Sequence, residues 1–427
     1  MSIVGRRAIT KTAAVVLVVV VLVAVIGTAY YYYSSMSLNK SAVNIAFITS
    51  LTGYNTSTGL SLLAGARIAL DEINTAGGIN GRPINLIVHD DQSNPNQGLA
   101  QAQIADAQEN VLAITGPGTS DVALALRGYA EQNHVPYITL VSTLAITVPG
   151  TQYSFRIAPD VITAGAAVAK FFTDRHPGPT KIAFVYSQQS FSQEEVTGAK
   201  WYLSTLKNVT IVYDQSFPIG QPDFTTTVAA LKAVNPDAII GHLFGTGLPI
   251  FFKEMQEAGF RADQMAADGE LALGQYGPQA VGSWWFAYFT PSLNATIPAV
   301  TAFNKKAEAA LAACSNCQKT PDYYVYNAYL AMYLITEAAK AAGPTLDRTT
   351  FLKSLKATSY HDLIGRTISF DQNGAVASTP FFIVQLTELK PVPGSQGLYT
   401  WKDKIGATIQ FPAGLIPVYD LAKQCSC

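Results

Sequence analysis

The chain has 427 residues, room for roughly two or three domains at about 150 residues each, and 49 % of them are hydrophobic, which excludes both a disulfide-stapled miniature scaffold and wholesale disorder. Lys and Arg number 28 against 29 Asp and Glu, a net charge of −1, so no electrostatic footprint for nucleic acid is present. Charged residues make up only 13 %, about half the usual share of about 25 %; neutral polar groups must wet the surface, a composition compatible with life outside the cytoplasm, acid media included.

Arg6, Arg7 and Lys11 precede an apolar run from Ala13 to Ala29, with Tyr30 to Tyr33 behind it. A helix needs about 20 residues to cross a bilayer, and residues 13–33 meet that length without a charge. The expectation is one N-terminal transmembrane helix: residues 1–12 remain cytoplasmic, the tyrosines sit at the outer interface, and residues 34–42 tether the remainder to the extracytoplasmic face. A cleaved signal peptide, with Gly27 and Ala29 as the small residues before the cut, is the alternative. No Cys follows the run, which argues against a lipid anchor. Cys314, Cys317, Cys425 and Cys427 all lie in the last third. Outside the cell pairing is the default: Cys314 with Cys317 closes a tight local loop, while Cys425 and Cys427 pair or stay mobile. A zinc site is the weaker alternative, because the two pairs are far apart in sequence and no His lies near either.

Past the tether, strands alternate with helices. Val43–Thr49 reads as a buried strand and Leu60–Thr75 as a helix, with Leu63, Ala66, Ile68, Leu70 and Ile73 at helical spacing. Gly77 to Gly81 is a turn. Ile84–His89, Val111–Thr115 and Tyr137–Leu140 are strands, separated by helices over Asn96–Glu109 and Asp121–Gln132. The pattern restarts with a helix at Ile162–Thr173, then strand Lys181–Tyr186, helix Gln193–Leu206, strand Thr210–Phe217, helix Thr225–Val234, strand Ala238–Leu243 and helix Leu248–Ala258. Trp284–Phe289 is a further strand. Helices over Ala299–Ala312, Tyr323–Ala342 and Thr349–Ala357 follow, then strands Ile364–Asp371 and Pro380–Leu386. Alternation of this kind predicts βαβ units and parallel sheets, here in two units of similar size with a mixed tail. Ligands of open α/β sheets sit at the carboxyl ends of the strands. The loops to inspect are therefore 50–59, 90–94, 116–120, 141–144, 187–192, 244–247 and 268–270.

Three stretches carry a resemblance. They are Leu51-Thr52-Gly53; Asp71-Glu72-Ile73-Asn74 running into Gly77-Gly78-Ile79-Asn80-Gly81-Arg82; and Ile114-Thr115-Gly116-Pro117 followed by Val135-Pro136-Tyr137-Ile138. Together they resemble the branched-chain amino-acid and amide class of periplasmic solute-binding proteins, over about Val43 to Gly374; beyond Glu388 the likeness is lost. The resemblance implies a type I fold with two doubly wound parallel-sheet lobes joined by a three-segment hinge. Lobe 1 is then 43–158 plus 290–365, and lobe 2 is 159–289 plus 366–427. It further implies a ligand held between the lobes, no enzymatic activity, and delivery to the permease and ATPase subunits of an ABC importer. The chain is expected to act as a monomer.

The pocket expected from this resemblance can also be argued from chemistry. A carboxylate wants hydroxyls and free N–H groups, and Gly116 to Asp121, including Thr119, leads from a strand into a helix start. The family's carboxylate-holding hydroxyls match Ser120 and Thr143, with the backbone near Val141. The blander reading is that Ser120 and Asp121 cap the helix. An ammonium wants an acid; Asp268 matches the family's acidic position and Glu270 is the runner-up, while Asp268-Gly269 also reads as an ordinary turn. Phe191 and Phe244 stand where the family commonly has tyrosines, and Thr58 replaces a third. Phe191 and Phe244 also suit ordinary core packing. Losing phenolic hydroxyls leaves a drier pocket, which opens an alternative: a receptor for an amide, urea or aromatic acid, used in uptake or sensing.

Other signals are weaker. The His residues (5 in all) are scattered, so neither a metal cluster nor a catalytic dyad is expected, and no cofactor. The stretch from Gly116 lacks both the Rossmann and the nucleophile-elbow spacing. Asp90-Asp91 reads as loop-capping, and Arg67, Arg82 and Arg156 as structural, through surface or interdomain ion pairs. Sequons at Asn39, Asn55, Asn208 and Asn294 are no more frequent than chance allows, and Asn55 is set near the cleft.

Overall fold

The computed structural model describes residues 21–28, 41–266, 277–290, 297–376, 381–393, 399–412 and 415–424. Five strands, β1 (Val43–Thr49), β2 (Ile84–Asp90), β3 (Ala113–Thr115), β4 (Tyr137–Thr139) and β5 (Ser154–Arg156), form an all-parallel sheet in the order β2-β1-β3-β4-β5. β1 lies inside the sheet, paired on both sides, and is apolar on both faces, as a parallel strand covered by helices must be. Ile45 and Phe47 join a core with Leu62 and Ala66 of α1 (Thr56–Thr75). Ala46 and Ile48 point the other way, into a core with Ala102 of α2 (Pro95–Glu109) and Val122 of α3 (Ser120–Asn133).

A second sheet contains β6 (Thr180–Ser187), β7 (Val209–Phe217), β8 (Ala238–Ile240), β9 (Met265–Ala266) and β10 (Trp284–Ala287), all parallel. Helices α4 (Val161–Arg175), α5 (Ser190–Ser204), α6 (Thr225–Val234) and α7 (Gly247–Glu257) belong with it. The chain then returns to the first lobe as α8 (Pro298–Ala313), α9 (Tyr323–Ala341), α10 (Arg348–Lys356) and the antiparallel pair β11 (Ser359–His361) and β12 (Thr367–Ser369). A disulfide joins Cys314 to Cys317 in the link between α8 and α9; Cys425 and Cys427 lie outside the described residues. A last pass brings β13 (Phe381–Pro391) and β14 (Tyr399–Ile409) onto the second sheet, followed by α11 (Val418–Gln424).

The chain thus passes between the two sheets three times: between β5 and α4, between β10 and α8, and between β12 and β13. The first and third passages are stitched together, Arg156 N–H donating to Gly374 O (2.8 Å) and Val376 N–H to Arg156 O (3.0 Å). Arg156 itself is buried, not at the surface; its guanidinium bonds Ala158 O and the Thr147 hydroxyl. Within the second lobe α4 and α5 cross backbone against backbone. A Cβ on Gly165 would stand 1.9 Å from Glu195 O, and one on Gly198 1.9 Å from Ile162 O, so only glycine fits either position.

One expectation needs correction. The second sheet is parallel only as far as β10, since β13 and β14 run antiparallel at its end. Entering after the last crossing, β13 meets β10 head to tail, and a hairpin then suffices to add β14. The short strands β5, β9 and β11, the strand β14 and the helix α11 are not foreseen by the periodicity. The apolar N-terminal segment lies outside the described residues except for 21–28, which are helical and exposed; among the described residues no helix is long and apolar enough to cross a membrane.

Candidate functional site

The first lobe's wall of the cleft is built where β3 and β4 end. Gly116, at φ 114°, turns the chain through a positive-φ bend that glycine tolerates best, and Gly118, Thr119 and Ser120 bring it to the start of α3. Thr119 occupies the N-cap position but makes no side-chain capping bond. Ser120 does not cap either: its Oγ accepts from the hydroxyl of Thr143, which is fully buried behind it. The capping reading of Ser120 and Asp121 therefore does not describe this turn. Leu140, Val141 and Ser142 continue the wall after β4, and the Asn327 amide of α9 holds Leu140 O at 3.3 Å. Tyr54, in the loop before α1, closes the wall at its rim together with Tyr323 and Tyr324 of α9. Burial raises the pKa of the Tyr54 phenol, helped by the charges of Asp121 and Asp91, while the Thr119 hydroxyl works against it.

The second lobe's wall is aromatic. Phe191 stands in the first turn of α5, where the Gln189 side chain caps by accepting its N–H at 3.0 Å. Phe244 follows β8, its N–H donating to Ser187 Oγ at 2.8 Å. The two rings meet edge to face at 6.2 Å between centroids, and His242 packs on Phe244 at 4.1 Å. Across the cleft Tyr54 meets Phe244 edge-on at 6.3 Å.

The walls are nearly shut. They leave ≈ 10 Å³ for the centres of water molecules, the room of about one water, so entry of an amino acid requires them to separate. Polar contacts also join the lobes. Asp121 of α3 accepts from the Ser190 hydroxyl at 2.7 Å and from its N–H at 3.3 Å. Glu194 of α5 accepts from the N–H groups of Leu144 (2.7 Å) and Ala145 (3.2 Å). Burial pushes the Glu194 carboxyl up to about 7, against the opposing pull of those two amides and of the Arg156 charge.

Of the residues singled out in the sequence, Thr119, Ser120, Val141, Phe191 and Phe244 line this one cavity. Thr143 stands directly behind Ser120. Thr58 does not line it; its hydroxyl donates to Asn55 Oδ1, and the Asn55 amide donates to Gly118 O, so the pair buttresses the wall from behind. Asp268 and Glu270 lie outside the described residues. Tyr54, Ser142, Gln189, Tyr323 and Tyr324 were not foreseen. Tyr54, Ser142 and Gln189 fall inside the strand-end loops, and that was the available signal; the two tyrosines of α9 come from a helix that follows no strand. Asp90 is spent on loop amides and the Thr52 hydroxyl, and Asp91 on Ser50 and Ser93, as loop capping predicts. Among the described residues no cluster of His, Cys, Asp and Glu is arranged to hold a metal ion.

Residues 42–391 match the periplasmic binding protein family, and the chain belongs to it, in the type I, branched-chain amino-acid class. It is similar to Leu/Ile/Val-binding protein homolog 1 of Brucella melitensis, 26 % identical over 329 residues, which cover 76 % of this chain and 85 % of that relative. It is also similar to the leucine-, isoleucine-, valine-, threonine- and alanine-binding protein of Pseudomonas aeruginosa, 23 % identical over 358 residues, 82 % of this chain and 92 % of that one. Two solved structures share the fold: a leucine-binding protein from Thermotoga maritima (TM-score 0.72, 22 % identity, covering 86 % of this chain and 99 % of that one), and a solute-binding protein of an ABC transporter from R. palustris in complex with benzoate (TM-score 0.71, 19 % identity, 84 % and 95 %).

Proposed function

We propose that the protein is the extracytoplasmic solute-binding subunit of an ABC importer and captures a branched-chain or related amino acid by closing its lobes. One observation carries this reading: a single cavity between the lobes has a hydroxyl-bearing wall at a helix start on one side and an aromatic wall on the other. The ligand's carboxylate lies against Ser120, Thr119 and the backbone of Val141, with Thr143 setting the direction of the Ser120 hydroxyl. Its apolar body packs on Phe191 and Phe244, and its ammonium pairs with Asp268. Thr58 acts only through Asn55 and Gly118. Lobe 1 moves as 43–158 with 290–365 and lobe 2 as 159–289 with 366–427. Contacts of the ligand to both lobes stabilise the closed form over the open one, and a permease with its ATPase recognises the closed form. Residues 13–33 deliver the chain across the membrane, as anchor or as signal peptide, and the binding subunit works as a monomer without a cofactor or catalytic group.

A second reading keeps the fold and changes the ligand. Phe191 and Phe244 supply flat apolar surface without phenolic hydroxyls, which suits an aromatic acid, and one structural relative holds benzoate. Thermal unfolding of the full chain separates the two, because a ligand bound only by the folded form raises the midpoint by mass action. A rise with leucine, isoleucine or valine supports the amino-acid reading. A rise only with benzoate, amides or urea transfers support to the second. No rise with any of them removes both.

A further inference from the structure

Two carboxylates cross between the lobes, and each ends on the first turn of a helix belonging to the other lobe. Asp121, near the start of α3 in lobe 1, takes both the N–H and the hydroxyl of Ser190, the first residue of α5 in lobe 2. Glu194, one turn further along α5, takes the N–H groups of Leu144 and Ala145, which open the 3-10 turn Leu144–Thr147 of lobe 1. Helix starts leave N–H groups without intrahelical partners, and they carry partial positive charge that a carboxylate complements. Neither turn caps these groups from its own sequence. Gln189 caps α5 but spends its oxygen on Phe191 N–H, and Thr143, in the N-cap position of the 3-10 turn, makes no capping bond because its hydroxyl goes to Ser120. Each lobe therefore caps the other.

We propose that Asp121 and Glu194 form a reciprocal clasp that sets the balance between open and closed lobes, and with it the residence time of a bound solute. The inference rests on the reading of the protein as a lobe-closing receptor and names the device that regulates closure. Opening strips both turns of their caps at once, so the two halves make and break together. The crossing of α4 and α5 at Gly165 and Gly198 fixes the helix that carries both lobe-2 groups. Thr143 joins the clasp to the cleft, since it orients Ser120 on one side and leads into Leu144 on the other. The charged groups about Glu194 are Arg156 from β5 and Asp160 from the first passage, with Glu195 its neighbour on α5.

Hydrogen exchange of the ligand-free full chain tests the clasp. Ser190→Ala removes one hydroxyl and touches neither Leu144 nor Ala145. If the halves are coupled, this variant speeds exchange of the Leu144 and Ala145 amides about threefold or more, the range of one net hydrogen bond, and Glu194→Gln speeds exchange of the Ser190 amide in return. An unchanged unfolding midpoint in Ser190→Ala separates clasp opening from loss of fold. Unchanged exchange at 144–145 in Ser190→Ala overturns the clasp and leaves two independent packing contacts. The ligand-induced midpoint shifts above are read separately, so failure of the clasp and failure of the receptor reading are distinguishable.

Discussion

The two walls of the cleft are built by the same rule and end in opposite chemistry. Each uses loops at the carboxyl ends of parallel strands and the start of the helix that follows. In lobe 1 the loop after β3 leaves Thr119 and Ser120 uncommitted to capping, so hydroxyls face the cavity. In lobe 2 the loop after β6 caps its helix with Gln189, and Phe191, two residues on, turns a ring to the cavity. One helix start thus presents hydroxyls to the cavity and the other an aromatic ring. On the proposed reading, a ligand with one anionic end and one apolar end takes its orientation from these two walls.

Four changes break or sharpen that contrast. The largest effect is expected from Asp268→Ala, which on the proposed reading leaves the ammonium of the ligand unpaired; leucine affinity should fall by about 2 kcal/mol or more, roughly 30-fold, with benzoate unaffected, as read by calorimetry. Ser120→Ala removes a donor to the carboxylate and strands the Thr143 hydroxyl; any carboxylate ligand should bind about tenfold more weakly. Phe244→Ala should lower affinity by about 1 kcal/mol through lost apolar contact, more for leucine than for alanine, in the same titration.

The last effect is on stability rather than on affinity, a pH dependence from Glu194. Its carboxyl is raised from the ordinary 4.5 to about 7 by burial. Below about 4.5 it is protonated in both folded and unfolded chains, and its full stabilising share is present. As pH rises from 4.5 towards 7 the unfolded chain gives up the proton first, so this share is lost across that window. The unfolding midpoint should fall over it, and Glu194→Gln should flatten that part of the profile.

Much of this was legible in the sequence because parallel strands covered on both faces read as short apolar runs. β1 and α6 fall where the periodicity sets them. The hairpin strand β14 was not legible: Lys402, Asp403 and Lys404 stand in a row among the apolar residues of Tyr399–Ile409, since it is the last strand of its sheet and buries only part of one face. The strands β5 and β9 are too short to show a period. In the site, Thr58 is matched to a family tyrosine by resemblance, and a helix boundary moves it away from the cavity. α1 begins at Thr56 rather than Leu60, which takes Thr58 into the first turn and leaves Tyr54 as the loop residue at the cleft. The interlobe bonds of Asp121 and Glu194 were out of reach, because they join groups from separate βα units whose meeting depends on lobe closure.

The central claim is that a small carboxylate solute binds between the lobes with its anionic end on the Ser120 wall. Calorimetric titration of the full chain and of Ser120→Ala with leucine and with benzoate tests it most directly. Saturable one-to-one binding of either solute, weakened about tenfold in the variant, is the expected result. Equal affinity in both proteins, or no heat from either solute, would contradict it.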